Sequence, residues 1–317
     1  MRVLVTGAAG FVGSHLCEHL IDAGHEVLGI DNFDDYYDLS QKRANQARLE
    51  SRGVSVEFAD IRDFDSLARI FWSFKPNKVA HLAGKAGVRN SISNPREYVD
   101  VNLNGTQNVL EASRALAVDR VVFASTSSVY NGAQSPFNEA FPATAPLQPY
   151  AASKRGAELL ASTYSTLYGL STIITRFFTV YGPNGRPDMM PHKLLRSAAW
   201  GERIVRFEGN FQRDWTYVSD ICDGLVRALS VPGLQFEILN LGRGEPQSLS
   251  DFISCVEESV GKKANIELAK APATEMLETF ADTAKAGSLI GFSPEVCMTD
   301  GVKKMVAWFE ETHQIGR

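Results

Sequence analysis

Tyr150 and Lys154 are separated by three residues in the stretch Pro149-Tyr150-Ala151-Ala152-Ser153-Lys154. On a helix, two such side chains lie one turn apart on the same face. An ammonium beside a phenol favours the phenolate, so the tyrosine pKa is expected to fall below its ordinary ~10. A tyrosine tuned in this way serves as a general base near neutral pH. The spacing alone is common on ordinary helix surfaces, so the chemistry needs partners from elsewhere in the chain. One partner is Ser125-Thr126-Ser127-Ser128, predicted to close a strand just before this helix. Hydroxyls at a strand end face a ligand crevice and can bond the oxygen of an oxidisable carbon.

A cofactor site is predicted at the start of the chain. Residues 2–7 read as a short apolar strand, Gly7-Ala8-Ala9-Gly10-Phe11-Val12-Gly13 as a glycine turn, and Leu16, Leu20 and Ile21 as a helix face. Strand, glycine turn and helix form a corner where pyrophosphate meets backbone N–H groups at a helix N-terminus. A second strand, residues 26–31, ends in Asp31, 18 residues past Gly13. That is near the distance expected for a carboxylate that accepts from ribose hydroxyls. No arginine sits immediately beside it for a 2′-phosphate, which favours NAD over NADP. Glycine corner, acid, hydroxyls and tyrosine–lysine pair together point to hydride transfer.

The elements that must position these groups alternate along the chain. Strands are predicted at 54–60, 78–83, 120–125 and 172–178, and helices at 41–51, 63–74, 96–116 and 150–169, with a glycine-bearing loop over 84–89. This alternation predicts βαβ units and an α/β fold with a doubly wound parallel sheet, ligands lying at the strands' carboxyl ends. After Phe178 the pattern becomes turn-rich, with helices at 191–200, 250–260 and 300–312 and strands at 236–242 and 266–268. Ser248 or Ser250 is the expected N-cap of the middle helix. The expected division is a nucleotide-binding domain over 1–178, a smaller substrate domain over 179–317, and part of 214–242 returning to the large sheet.

Composition excludes several classes. The 317 residues are 44% hydrophobic and carry a net charge of −5, which suits a soluble globular enzyme and argues against electrostatic nucleic-acid or membrane binding. No apolar run reaches the ~20 residues needed to span a bilayer, and the first residues lack the pattern of a signal peptide. Cys17, Cys222, Cys255 and Cys297 are dispersed without metal-like spacing, as expected for thiols in a reducing cytoplasm. His15 and His19 lie one turn apart, but Leu16 stands where a metalloprotease helix needs glutamate, so no metal site is expected.

The chain resembles an extended short-chain dehydrogenase/reductase of the nucleotide-sugar epimerase branch. The resemblance rests on TGAAGFVG (6–13), HLAGKAGVR (81–89), VNLNGT (101–106), STSSVY (125–130), PYAASK (149–154), RFFTVYGP (176–183) and RDWTYVSD (213–220). AGVR and GPNGRPDMM (182–190) are similar to the UDP-glucuronate 4-epimerases. The resemblance implies a Rossmann domain, NAD that stays bound, a UDP-sugar substrate and a homodimer formed through the 96–116 and 150–169 helices. It implies cofactor contacts from Gly7, Gly10, Phe11, Val12 and Gly13, and from Asp31, Asn32, Asp60 and Ile61. Leu82, Ala83, Gly84, Asn102 and Ser125 complete the implied cofactor set with Tyr150 and Lys154. It also implies that Tyr150 takes the proton from the sugar 4-OH, that Thr126 bonds the 4-oxygen, and that Lys154 holds the nicotinamide ribose and depresses the Tyr150 pKa. Arg89, Ser127, Ser128, Thr179 and Lys193 are implied substrate contacts. Arg186 is implied for the sugar carboxylate and Arg213 for the diphosphate, roles that suit guanidinium groups.

Ser128 separates this chain from decarboxylases similar to it, which carry glutamate there, and the loop also lacks the acid pair of 4,6-dehydratases. A 4-keto uronate is a β-keto acid and tends to lose CO₂, so the serines are expected to hold its carboxylate away from the cleavage geometry. The alternatives are a 4-epimerase of neutral UDP-hexoses or N-acetylhexosamines and, further off, a UDP-glucuronate decarboxylase. Three departures bear on substrate choice: Asn131 in place of glycine, Gly84-Lys85 in place of Ala-Gln, and an altered segment over 271–275.

Overall fold

The computed structural model describes residues 1–271 and 276–313. The first half runs β1 (Arg2–Thr6), α1 (Phe11–Asp22), β2 (Glu26–Asp31), α2 (Leu39–Ser51), β3 (Ser55–Phe58), α3 (Phe64–Phe74) and β4 (Lys78–His81). It continues with α4 (Val88–Ser93), α5 (Pro95–Val99), a π-helical segment (Asp100–Gly105), α6 (Thr106–Ala115), β5 (Arg120–Thr126), α7 (Pro149–Tyr168) and β6 (Thr172–Phe177). The second half comprises β7 (Thr179–Tyr181), α8 (Met190–Trp200), β8 (Ile204–Phe207), β9 (Gln212–Tyr217), α9 (Val218–Ser230) and β10 (Phe236–Leu241). It ends with β11 (Pro246–Ser248), α10 (Leu249–Val260), β12 (Ile266–Ala269), β13 (Glu278–Thr279), α11 (Ala284–Ile290) and α12 (Met298–His313).

Seven strands form a parallel sheet in the order β10-β6-β5-β4-β1-β2-β3. Chain order reverses between β1 and β4, which opens a crevice at their carboxyl ends. Alternation along β1 sends Val3 and Val5 to one face and Leu4 to the other. Val3 and Val5 pack with Leu16 and Leu20 of α1 and with Ile221 and Leu225 of α9. Leu4 packs with Leu67 of α3, Val109 and Leu110 of α6, and Ala157 and Ala161 of α7. β5 is buried along its whole length, as a strand covered on both faces requires.

Beyond β6 the chain builds two small sheets. β9 pairs with β7, β11 and β13, and β8 pairs with β12. Within 214–242, residues 214–217 stay with β9, while β10 adds to the edge of the large sheet beside β6. Ser248 caps α10 by accepting from the Asp251 N–H at 3.0 Å.

The helix expected over 96–116 is instead divided into α5, the π-helical turn and α6. The wide turn carries Asn102 inward, where its Oδ1 accepts from the Lys85 N–H at 2.7 Å and its Nδ2 donates to the Lys85 carbonyl and to Ser153 Oγ. Asn102 thereby ties the loop after β4 to α7, a common use of an inserted residue in a helix. The loop expected over 84–89 also ends early, because α4 begins at Val88. Of the altered 271–275 segment, residues 272–275 lie outside the described residues.

Candidate active site

The glycine corner is built by close backbone packing. Gly7 has φ +73°, and a Cβ there would lie 2.8 Å from the Ala83 nitrogen. A Cβ at Gly13 would collide with the Gly7 carbonyl, so α1 can approach β1 only with glycine at this position. Asp31 Oδ2 accepts from the Ala9 N–H at 3.1 Å, Oδ1 accepts from the Phe33 N–H at 2.8 Å, and Lys42 Nζ lies 3.6 Å away. Asn32 donates to Asp60, and Arg62 binds the same carboxylate. These contacts hold the Asp60 carboxyl down at about 2, the Arg62 hydrogen bond contributing most. The corner and its acid fit a dinucleotide: tight backbone at the pyrophosphate position and a carboxylate fixed at the end of β2.

A cavity of about 440 Å³ opens at the carboxyl ends of the strands. It brings together Gly7, Gly10, Phe11, Val12, Gly13, Asp31, Asn32 and Ile61. Leu82, Ala83, Gly84, Ser125, Thr126, Ser127, Ser128, Tyr150, Lys154, Thr179 and Arg186 line the same space. Asp60 and Asn102 stand one layer behind, through Asn32 and Lys85. Arg89, Lys193 and Arg213 are outside this lining. Arg89 stacks over Phe207, Lys193 lies in the first turn of α8, and Arg213 lies on β9 over Phe211.

α7 positions the tyrosine and the lysine. Pro149 opens the helix and Gly169, at φ +70°, closes it, the arrangement each residue favours. Lys154 is buried with its Nζ 4.4 Å from the centroid of the Phe123 ring. Burial lowers its pKa to about 7, with the Glu158 charge pulling the other way. Thr126 Oγ1 accepts from the Ser128 N–H and donates to Ser128 Oγ, both at 3.1 Å. Tyr150 meets the edge of Tyr98 at 6.2 Å between centroids.

The sign of the Tyr150 shift corrects the sequence reading. Burial raises its pKa above the ordinary value; a Thr126 hydrogen bond and the Arg186 charge pull it down, and Tyr98 adds to the rise. The cation acting on the base in this structure is Arg186.

A buried network supports the floor of the cavity. Glu158 of α7 accepts from Arg176 Nε at 2.9 Å, Arg176 Nη2 at 2.7 Å and Ser125 Oγ at 2.5 Å. The Arg176 guanidinium lies 4.7 Å from the Tyr130 ring, and Tyr130 Oη donates to Asn240. Behind Ala83, His81 bridges Thr6 and Thr106 at 2.8 and 3.0 Å. Burial lowers the His81 pKa to about 3, so this ring is neutral.

Several cavity residues gave little sign of themselves in sequence. Asp34, Tyr36, Tyr37, Lys42, Met189 and His192 line it. The first three fall in the acidic, aromatic run after Asp31, a signal that composition offered but periodicity did not interpret. Lys85 reaches both Asp34 oxygens, at 3.0 and 3.1 Å, and Glu97 at 2.5 Å. Asn131 donates to the Ala145 carbonyl at 2.8 Å. Among the described residues, no three His, Cys, Asp or Glu side chains form a metal-type cluster, and no helix is long and apolar enough to cross a membrane.

A doubly wound sheet, a glycine corner and a tyrosine–lysine pair at the strand ends define an NAD-linked enzyme acting on a carbinol carbon. The NAD dependent epimerase/dehydratase family model matches residues 3–242, and the chain belongs to that family. It is 42% identical to a UDP-glucuronate 4-epimerase of Thermodesulfobacterium geofontis, over 98% of this chain and 97% of that protein. The fold matches a Bacillus cereus UDP-glucuronic acid 4-epimerase in complex with UDP-glucuronic acid and NAD at TM-score 0.92 and 35% identity, covering 98% of this chain and 100% of that one. A Thermus thermophilus UDP-glucose 4-epimerase in complex with NAD matches at TM-score 0.88 and 31% identity, covering 98% and 99%.

Proposed function

We propose that this chain interconverts UDP-glucuronate and UDP-galacturonate by inverting C4, with NAD as a tightly held cofactor. The observation that carries the reading is the meeting of Thr126, Tyr150, Lys154 and Arg186 in the cavity that also contains the glycine corner. NAD, when bound, supplies the acceptor and donor of hydride. Tyr150 takes the 4-OH proton as C4 is oxidised and returns it after the 4-keto sugar has turned over in the cavity. Thr126 holds the 4-oxygen. Lys154 holds the nicotinamide ribose. Arg186 receives the sugar carboxylate, and Ser127 and Ser128 keep it from aligning for CO₂ loss. Arg89, Thr179, Lys193 and Arg213 serve the sugar and diphosphate, the last three from the 179–317 substrate domain.

Residues 1–178, with part of 214–242, form the cofactor domain in this reading. The protein acts in the cytoplasm, where its four free thiols stay reduced, and works as a homodimer. NMR of the purified protein with UDP-glucuronate tests the activity. UDP-galacturonate is the expected product; UDP-xylose or a 4-keto pentose in its place overturns epimerisation. Tyr150→Phe should retain NAD and lose nearly all turnover, and a variant that keeps most of it removes Tyr150 as the base.

A further inference from the structure

The functional reading leaves Asp188 and Tyr36 without a role, yet both hold Arg186. Arg186 Nε donates to Asp188 Oδ1 at 3.0 Å, and Nη2 donates to Asp188 Oδ2 at 2.6 Å. Tyr36 Oη donates to the same Oδ2 at 3.3 Å, and the Tyr36 ring lies 5.4 Å from the guanidinium carbon. Tyr36 is itself anchored, since its N–H donates to Asp34 Oδ1 at 3.0 Å and Asp34 is gripped by Lys85. A continuous polar chain thus runs from Glu97 of α5 through Lys85, Asp34, Tyr36 and Asp188 to Arg186.

A guanidinium carries five N–H donors in a rigid fork and can offer a bidentate edge to more than one carboxylate. Asp188 occupies the inner edge, formed by Nε and Nη2. The outer edge, formed by Nη1 and the second Nη2 proton, remains. Nη1 has no hydrogen-bond partner among the described residues, and Arg186 lines the cavity beside Tyr150. We propose that Asp188 and Tyr36 are positioning residues for substrate selectivity, clamping the inner edge of Arg186 so that its outer edge is presented to the carboxylate of a uronosyl substrate. This rests on the carboxylate reading of Arg186. The clamp removes rotamer freedom before substrate arrives, so binding does not have to order a long side chain. Arg186 lines the cavity at 17% side-chain exposure, and Asp188, at 32%, stands behind it outside the lining.

Calorimetry on the NAD-loaded protein, with UDP-glucuronate and UDP-glucose as separate ligands, tests the clamp. Asp188→Asn should weaken UDP-glucuronate binding about tenfold and Tyr36→Phe about threefold, with UDP-glucose changed less than about twofold. The double variant Arg186→Ala/Asp188→Asn should bind UDP-glucuronate no more weakly than Arg186→Ala alone, because Asp188 acts through Arg186. Equal losses for both sugars, or additive losses in the double variant, would mean a general structural role and overturn the proposal. Tighter UDP-glucuronate binding in Asp188→Asn would make Asp188 a screen of the cation and overturn it too. Tyr36→Phe removes one hydroxyl and keeps the ring, so it decides the matter if Asp188→Asn does not fold. A wild-type protein with equal affinity for the two sugars fails the carboxylate reading itself, and that is visible before any variant is compared.

Discussion

Tyr150 is a buried phenol whose charge state is set by neighbours brought from distant parts of the chain. Desolvation disfavours the phenolate, and Thr126 and Arg186 restore part of it. Arg186 itself stays charged: burial alone would lower its pKa, but the Asp188 hydrogen bonds and charge outweigh this and raise it. In the proposed function Arg186 therefore has two effects, one on the sugar carboxylate and one on Tyr150. The proposed mechanism requires deprotonated Tyr150, so kcat/KM should rise with pH on the acid limb. In Arg186→Ala the downward pull is gone, the Tyr150 pKa rises, and that limb should move to higher pH. A pH series on both proteins checks this; an unmoved limb would assign Arg186 to the substrate alone.

At the scale of elements, α7 carries Tyr150 and Lys154 on its cavity-facing side and Glu158 one turn beyond Lys154. Glu158 joins α7 to β5 through Ser125 and to β6 through Arg176, with both charged side chains almost fully buried. Removing one member of a buried pair leaves the other charge unpaired in a low dielectric, at a cost of about 3–5 kcal/mol. Glu158→Ala should therefore lower unfolding stability by about that amount, measured by urea denaturation. A loss below about 1 kcal/mol would show that Arg176 finds other partners, Tyr130 foremost. The π-helical turn has the comparable task on the other side of α7. It directs Asn102 to the Lys85 backbone and Ser153, so the loop carrying Gly84 is fixed against the helix that carries Lys154.

For the whole molecule, the large sheet supplies the rigid floor and residues from β7 to α8 close over it. β10 ties the second half of the chain to the first by adding to the sheet beside β6, so the segments that follow are held to the strands that end at Thr126 and Phe177. α7 also has an outer face. Leu159 and Leu167 are more than half exposed there, which supports the proposed homodimer, since apolar side chains of this size gain most by being covered. Sedimentation should give a dimer for the wild type and a monomer for the double variant Leu159→Glu/Leu167→Glu. A wild-type monomer would remove the dimer from the proposal.

What the sequence determined by itself was local. Apolar periodicity set the βαβ order, glycine spacing the cofactor corner, and the i, i+4 step the shared face of Tyr150 and Lys154. Each depends on a few consecutive residues whose backbone geometry is the same in any fold. The break in the 96–116 helix escaped notice because a π-turn shifts the apolar spacing by a single residue, within the ordinary scatter of an amphipathic pattern; it is stabilised by Asn102 contacts to residues up to 51 positions away. Arg186 could be singled out from its motif, but its clamp could not, because Tyr36 lies 152 residues from Asp188. The direction of the Tyr150 shift was decided only by tertiary structure. Spacing places a lysine one turn from a tyrosine, but desolvation and charge act through space, and the fold buried the phenol, turned Lys154 toward Phe123 and brought Arg186 to the base.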